Sequence, residues 1–402
     1  MSRRTGTPGG RAGAAHAPGT PGGPGGKIGA ILLVGLLAVF ATACLRAAPA
    51  GGAGAGGHGR ASASAAIDAL FAQVAGEHGG GAAGAPGCAM AVVDHGKVVL
   101  ARGYGLADLA HKLPITPRTV FDIASTSKQF TAASVLLLAE RGRLSLADDV
   151  RKYVPELPRY PAPVTLGELV HNTGGLPDYI DLLEKSGRRY EEFTGDADAL
   201  AVLVRQPDLL FKPGTAFKYS DSGYFLLSLV VRRVTGVSLR QFAAANLFGP
   251  LHMTDTQYVD DLHHSIPRRA TGYSPEGRGF RVDQSNWQQT GDGAVNSTVL
   301  DLAKWAASFD TGALGAIAGK RLPADLLTPG VLADGTTLPY AGGLVLDKLH
   351  GEPRVRHAGN WCGYRAELMR FPDRQLAVVT LCNLGSANPT SLCEKVAELY
   401  LD

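Results

Sequence analysis

Both ends of the chain carry β-type runs and its middle does not, and that arrangement leaves few folds open. "CAMAVVDHGKVVLARGYG", residues 88–105, breaks at His95-Gly96 and reads as a β-hairpin. Near the other end, "RVRHAGN" (354–360), "GYRAELMRF" (363–371) and "LAVVTLCNL" (376–384) are three runs separated by turn residues. The first hairpin finds a core only if it pairs with those C-terminal strands. The chain closes on "SLCEKVAELYL", a helix with Leu392, Val396, Leu399 and Tyr400 on one face and Asn388-Pro389 to start it. Between the ends, residues 125–310 read mainly as helices and loops, among them "YFLLSLVVRRVTG" and "STVLDLAKWAASF". Ser297 or Thr298 caps the latter, with Asp301 in its first turn. The expectation is an α/β fold of the α+β type: an antiparallel sheet from both chain ends, flanked by helices, with a mainly helical region inserted.

That domain covers residues 63–402. Ahead of it, residues 1–27 are Gly, Pro and Ala with scattered Arg, a composition that cannot bury a core and reads as disordered. Residues 28–45, "IGAILLVGLLAVFATACL", carry no charge and follow Lys27, which suits a signal peptide or an N-terminal anchor. Cys44, after Ala41-Thr42-Ala43, stands where a lipidated cysteine would, although Ala41 replaces the usual Leu. Either reading places the domain outside the cytoplasm, and a retained segment would tether it to a membrane. Residues 46–62 read as a flexible linker. The net charge of +3 misleads, because Arg3, Arg4, Arg11, Lys27, Arg46 and Arg60 meet no acidic residue before Asp68. The remainder holds 33 basic against 36 acidic residues, which gives no reason to expect a nucleic-acid partner.

The chemistry-bearing stretch is "FDIASTSKQF", where Ser125 and Lys128 stand three apart at the head of a helix. Residues i and i+3 share a helix face, so the lysine can reach the hydroxyl. A desolvated lysine can take the serine proton, and a helix N-terminus favours a developing oxyanion. The same letters also describe a helix cap followed by a solvated lysine. Partners decide. "FKYSDSGYFLL" supplies Tyr219, a proton shuttle in reach of a lysine or a side chain packed at a helix entry. "RVRHAGNW" supplies His357, Gly359 and the N–H of Asn360. A glycine there lets a substrate lie along the strand, and the Asn360 N–H offers an oxyanion donor beside that of Ser125.

These elements, with "TLGELVHNTGGLPDY" and "GDGAVNSTVLDLAKW" between them, occur in the order of one family. Over about residues 66–402 the sequence resembles the serine β-lactamase and penicillin-binding-protein superfamily, most closely its class C-like branch of carboxypeptidases, D-aminopeptidases and esterases. The resemblance implies a β-lactamase/DD-peptidase-like fold and a serine nucleophile, Ser125. Lys128 and Tyr219 would move its proton, the Ser125 and Asn360 N–H groups would hold the oxyanion, and Asp221, His357 and Gly359 would contact substrate. The implied partner is a small-molecule acyl substrate (an ester, an amide or a cell-wall peptide), with no cofactor and no metal.

Two departures narrow the substrate. The family's usual Tyr-x-Asn is Tyr219-Ser220-Asp221, and an ionised Asp221 cannot donate to a substrate carbonyl. Asp221 can instead pair with Lys128 and raise its pKa. The usual Lys-Thr-Gly is His357-Ala358-Gly359, which removes a fixed positive charge for a substrate carboxylate. Both changes weigh against efficient β-lactam hydrolysis and leave esters and small amides open. A class C-like β-lactamase and a non-hydrolytic binder of penicillins or cell-wall peptides are the alternatives. A metallo-hydrolase would need a histidine cluster, and the adjacent pair His263-His264 reads as loop. An α/β-hydrolase would need Gly-x-Ser-x-Gly, which is absent. If the first strand pairs antiparallel with the last, Cys88 meets Cys382, and an oxidising compartment would allow a disulfide.

Overall fold

The structure is a computed structural model that describes residues 55–76 and 84–401. The expected disordered segment 1–27, the apolar segment 28–45 with Cys44, and the start of the expected linker lie outside the described residues. Residues 55–62 of that linker already belong to helix α1 (Ala55–Gly76). Ile67 and Phe71 bury one side of α1, and a helix nucleated by such packing propagates one hydrogen bond per residue. Among the described residues, no helix is long and apolar enough to cross a membrane.

The hairpin at 88–105 is present as β1 (Cys88–Asp94) and β2 (Lys97–Tyr104). Its turn holds His95 at φ +50° and Gly96 at φ +73°, the left-handed pair that a tight two-residue hairpin requires. The C-terminal strands are β3 (Val345–Leu349), β4 (Glu352–Trp361), β5 (Tyr364–Phe371) and β6 (Leu376–Cys382). The sheet runs β3-β4-β5-β6-β1-β2, and β1 lies antiparallel to β6 from Cys88↔Cys382 to Asp94↔Leu376. Strand β3 escaped the sequence reading. It is an edge strand with no fully buried position, so it has no apolar pattern to read.

Strands β1 and β6 lie at the centre and are buried on both faces, which explains their near-continuous apolar runs. One face packs Met90, Val92 and Val378 against Ile67 and Phe71 of α1 and Leu392 and Val396 of the C-terminal helix (Pro389–Leu401). That helix turns Cys393 and Ala397 inward and leaves Leu399 42 % exposed at the margin of the expected face. The other face packs Ala91, Val93 and Val379 against the inserted helical region, including Leu302 and Trp305 of Val299–Asp310. Thr298 caps that helix by accepting from the Asp301 N–H. Cys88 and Cys382, opposite one another in the sheet, form a disulfide.

Candidate active site

The site forms where the inserted region meets strand β4. Residues Ala124–Ser127 make a 3-10 turn that runs into helix α2 (Lys128–Glu140). Among the bonds that hold the turn are Ile123 N–H to the Val295 carbonyl at 2.9 Å, Ala124 N–H to Asp122 Oδ1 at 2.8 Å, and Thr126 Oγ1 to the His357 carbonyl at 3.2 Å. Ala124 adopts φ +49°, a left-handed conformation that side chains disfavour and that concentrates at functional turns. Gly359 allows the close approach. A Cβ on it would stand 2.1 Å from the Ile123 carbonyl oxygen and 3.1 Å from Thr126 Oγ1. The glycine expected to make room for substrate therefore makes room for the turn that carries Ser125.

The Ser125 side chain does not cap a helix. Lys128 Nζ donates to Ser125 Oγ at 3.1 Å, and the residue in the cap position of α2, Ser127, makes no side-chain cap bond. Lys128 is fully buried. It also donates to Asp221 Oδ1 at 2.5 Å and to the Asp292 carbonyl at 2.7 Å. Burial alone favours the neutral amine, but the Asp221 carboxylate, with Tyr219 and Asp292, overrides it and holds the ammonium well above its ordinary range. The pairing that the sequence allowed between Asp221 and Lys128 is thus present.

Tyr219 and Asp221 flank the start of helix α3 (Asp221–Thr235), which Ser220 caps by accepting from the Ser222 N–H at 3.2 Å. The Tyr219 ring centroid lies 4.8 Å from Lys128 Nζ, and 38 % of the residue stays exposed. Desolvation pushes its phenol up to about 12, with Lys128 and Ser125 acting in the opposite direction. His357 is buried on β4, with Nδ1 2.6 Å from the Ala358 carbonyl and Nε2 3.4 Å from the Tyr340 hydroxyl. Burial, then the nearby Lys128 charge, lower its pKa to about 3, so the imidazole is neutral at physiological pH.

Several neighbours went unnoticed in the sequence. Asp178 accepts from the Asp221 N–H at 2.6 Å, and Tyr179 donates to Asp292 Oδ2 at 2.9 Å. Burial and then the Asp221 charge raise both Asp178 and Asp292, the latter to about 7. The stretches "GGLPDY" and "GDGAVNS" are visible as family-like runs, but nothing local says that Asp178 packs against the Asp221 backbone or that the Asp292 carbonyl meets Lys128. A cavity of about 330 Å³ opens beside Ser125 and Asp221, with Asn360 and Asp292 also lining it. Tyr190, Trp287 and Trp361 form its aromatic wall, the tyrosine ring 4.9 Å from each tryptophan. The structure brings together Ser125, Lys128, Tyr219, Asp221 and His357. It places Asn360 on the cavity and Gly359 beneath the turn. His263 and His264 stand in the turn after Asp261 and are not among the residues that line the cavity.

Comparison with known proteins bears on the same region. A D-aminopeptidase of Gluconobacter oxydans (strain 621H) is 30 % identical over 303 residues, 75 % of this chain and 56 % of that protein. Penicillin-binding protein 4* of Bacillus subtilis (strain 168) is 28 % identical over 72 % of this chain and 66 % of its own length. The chain therefore spans between half and two thirds of these relatives. The solved structure of the octameric penicillin-binding protein homologue from Pyrococcus abyssi superposes with a TM-score of 0.74 at 26 % identity, over 84 % of this chain and 77 % of that one. Residues 67–395 match the family model described as Beta-lactamase. With the sheet built from both chain ends and the Ser125–Lys128 turn set against β4, the chain belongs to the Beta-lactamase family.

Proposed function

We propose that this chain is a serine acyl-hydrolase that forms an acyl-enzyme on Ser125 and acts on esters and small amides, D-aminoacyl amides and peptides among them. The observation that carries this reading is the 3.1 Å contact between buried Lys128 Nζ and the Oγ of Ser125, a residue that lines the cavity. In this reading Ser125 Oγ attacks the acyl carbonyl. The Ser125 and Asn360 N–H groups hold the oxyanion, a contribution of about 3–4 kcal/mol per donor in such sites. Tyr219, protonated at neutral pH, hands a proton to the leaving group, and water then releases the acyl chain.

The substrate class follows from charge. The strand position where a substrate carboxylate would seek a cation carries neutral His357, and the Lys128 charge is already matched by Asp221. A carboxylate placed against His357 therefore gains little, and the cations that line the cavity are Arg269 and Arg365. The aromatic wall suits an uncharged acyl side chain, and an amine on the acyl group is in keeping with the relative named a D-aminopeptidase. The Cys88–Cys382 disulfide supports an exported location, because such bonds persist in oxidising compartments. A second reading, a penicillin or cell-wall-peptide binder without turnover, draws on the same Asp221–Lys128 pair, since a pinned ammonium is a poor base for deacylation.

Intact-mass measurement after exposure to D-alanine p-nitroanilide, p-nitrophenyl acetate and benzylpenicillin, with peptide mapping and a Ser125→Ala control, tests both. Turnover of the amide or ester that Ser125→Ala abolishes supports the hydrolase. Hydrolysis surviving in Ser125→Ala sinks it. A long-lived penicillin adduct without turnover of any substrate favours the binder.

A further inference from the structure

Lys128 is bound more closely to a carboxylate than to the serine it has to activate. An ammonium has three N–H donors and no lone pair. All three are engaged: Asp221 Oδ1 at 2.5 Å, the Asp292 carbonyl at 2.7 Å and Ser125 Oγ at 3.1 Å. In this state Lys128 donates to the nucleophile and cannot accept its proton. Tyr219 is a phenol at neutral pH and offers a proton rather than a basic site. The Ser125 proton therefore needs an acceptor beyond the two side chains nearest to it.

We propose that Asp221 is the terminal proton acceptor of acylation, reached through Lys128. This rests on Ser125 being the nucleophile. As substrate arrives, Lys128 Nζ passes one proton to Asp221 Oδ1, and a rotation about Cε–Nζ turns the freed lone pair to Ser125. The Oγ–H bond breaks, its proton joins Nζ, and the Oγ electron pair forms the bond to the acyl carbon. The carbonyl π pair moves to the oxygen. The tetrahedral intermediate thus sits beside an ammonium and a neutral Asp221. On collapse the carbonyl re-forms, the bond to the leaving nitrogen or oxygen breaks, and that atom takes a proton from Tyr219. Tyr219 is refilled from Lys128, and Lys128 from Asp221. The net transfer carries the Ser125 proton away on the leaving group, and Tyr219, Lys128 and Asp221 end as they began.

The choice of Asp221 over its acidic neighbours is geometric. Asp292 meets Lys128 through its backbone carbonyl, while its carboxylate takes the Tyr179 hydroxyl. The Asp178 carboxylate is occupied by two backbone N–H groups, those of Asp221 at 2.6 Å and Ile180 at 2.9 Å. Among the described residues, Asp221 alone presents a carboxylate oxygen to the ammonium. Because Asp178 and Asp292 flank it, a proton on Asp221 relieves like-charge crowding in the intermediate.

The test is single-turnover acylation by p-nitrophenyl acetate in Asp221→Asn, Asp221→Glu and Ser125→Ala. The amide introduced by Asp221→Asn would still accept a hydrogen bond from Lys128 but could not take its proton. The relay predicts a fall of at least about 100-fold in the acylation rate of Asp221→Asn, the range of general-base contributions. KM should move less than about threefold, and Asp221→Glu should recover part of the rate. Acylation by Asp221→Asn within threefold of wild type, or faster, overturns the relay and makes Asp221 a clamp on the lysine. If Asp221→Asn does not fold, Asp221→Ala decides. A loss of at least about 100-fold that added formate partly restores supports the relay, and acylation within threefold of wild type overturns it. Ser125→Ala inactive with Asp221→Asn fully active removes the relay alone, whereas an active Ser125→Ala removes the underlying function as well.

Discussion

Gly359 and Ile123 approach so closely that a single added carbon atom at Gly359 would stand 2.1 Å from the Ile123 carbonyl oxygen. This contact seats the Ser125 turn on strand β4, and it is backbone against backbone, so no side chain can swing aside. Gly359→Ala is expected to displace the turn relative to Asn360. Such overpacking costs about 1–3 kcal/mol of stability, and a misplaced reacting group costs on the order of 100-fold in rate. Ester hydrolysis and thermal unfolding measured on the same preparation check this. Full activity in Gly359→Ala would show that the turn and the strand move independently.

His357 provides a pH test with a definite sign. Its folded pKa is depressed from 6.5 to about 3 by burial and by Lys128. Between those values the unfolded chain binds a proton that the folded chain refuses. The His357 contribution to stability is therefore complete above pH 6.5 and is lost as pH falls toward 3. Asp292, raised by burial, works in the opposite direction over an overlapping window, so the informative quantity is a difference. Wild type is expected to lose stability relative to His357→Gln by up to ~1.4 kcal/mol per pH unit in that range. Denaturant titrations at about pH 7.5, 5.5 and 4.5, which bracket the ordinary histidine pKa, report it. Parallel pH dependence in the two proteins would mean that His357 is protonated in the fold.

The disulfide closes nearly the whole domain, since Cys88 and Cys382 stand 294 positions apart in the chain. Removing a native bridge typically costs about 2–5 kcal/mol. The double variant Cys88→Ala, Cys382→Ala is expected to lower the unfolding midpoint in urea while leaving Ser125 acylation largely unchanged, because the bridge lies in the cluster on the far side of the sheet. Non-reducing peptide mapping that finds both thiols free would remove the premise.

The legibility of this chain divides along the range of the interactions. The hairpin, three of the four C-terminal strands, the closing helix and the helical middle were readable because apolar spacing, turn residues and caps act between near neighbours. Strand β3 was not, since an edge strand without a buried face leaves no apolar pattern. The Cys88–Cys382 pairing followed once β1 was set antiparallel to β6, because register alone places the two residues opposite each other.

The sequence by itself determined which residue types stand ready: Ser125 and Lys128 one helical turn apart, a tyrosine, an acid in place of an amide, a histidine in place of a lysine. Only the tertiary structure decided their states. Lys128 is held as an ammonium because Asp221 and the Asp292 carbonyl converge on it from segments far away in the chain, and His357 is neutral because strand β4 buries it near that charge. Desolvation and charge proximity depend on distance in space, and no spacing of letters along a chain encodes that distance.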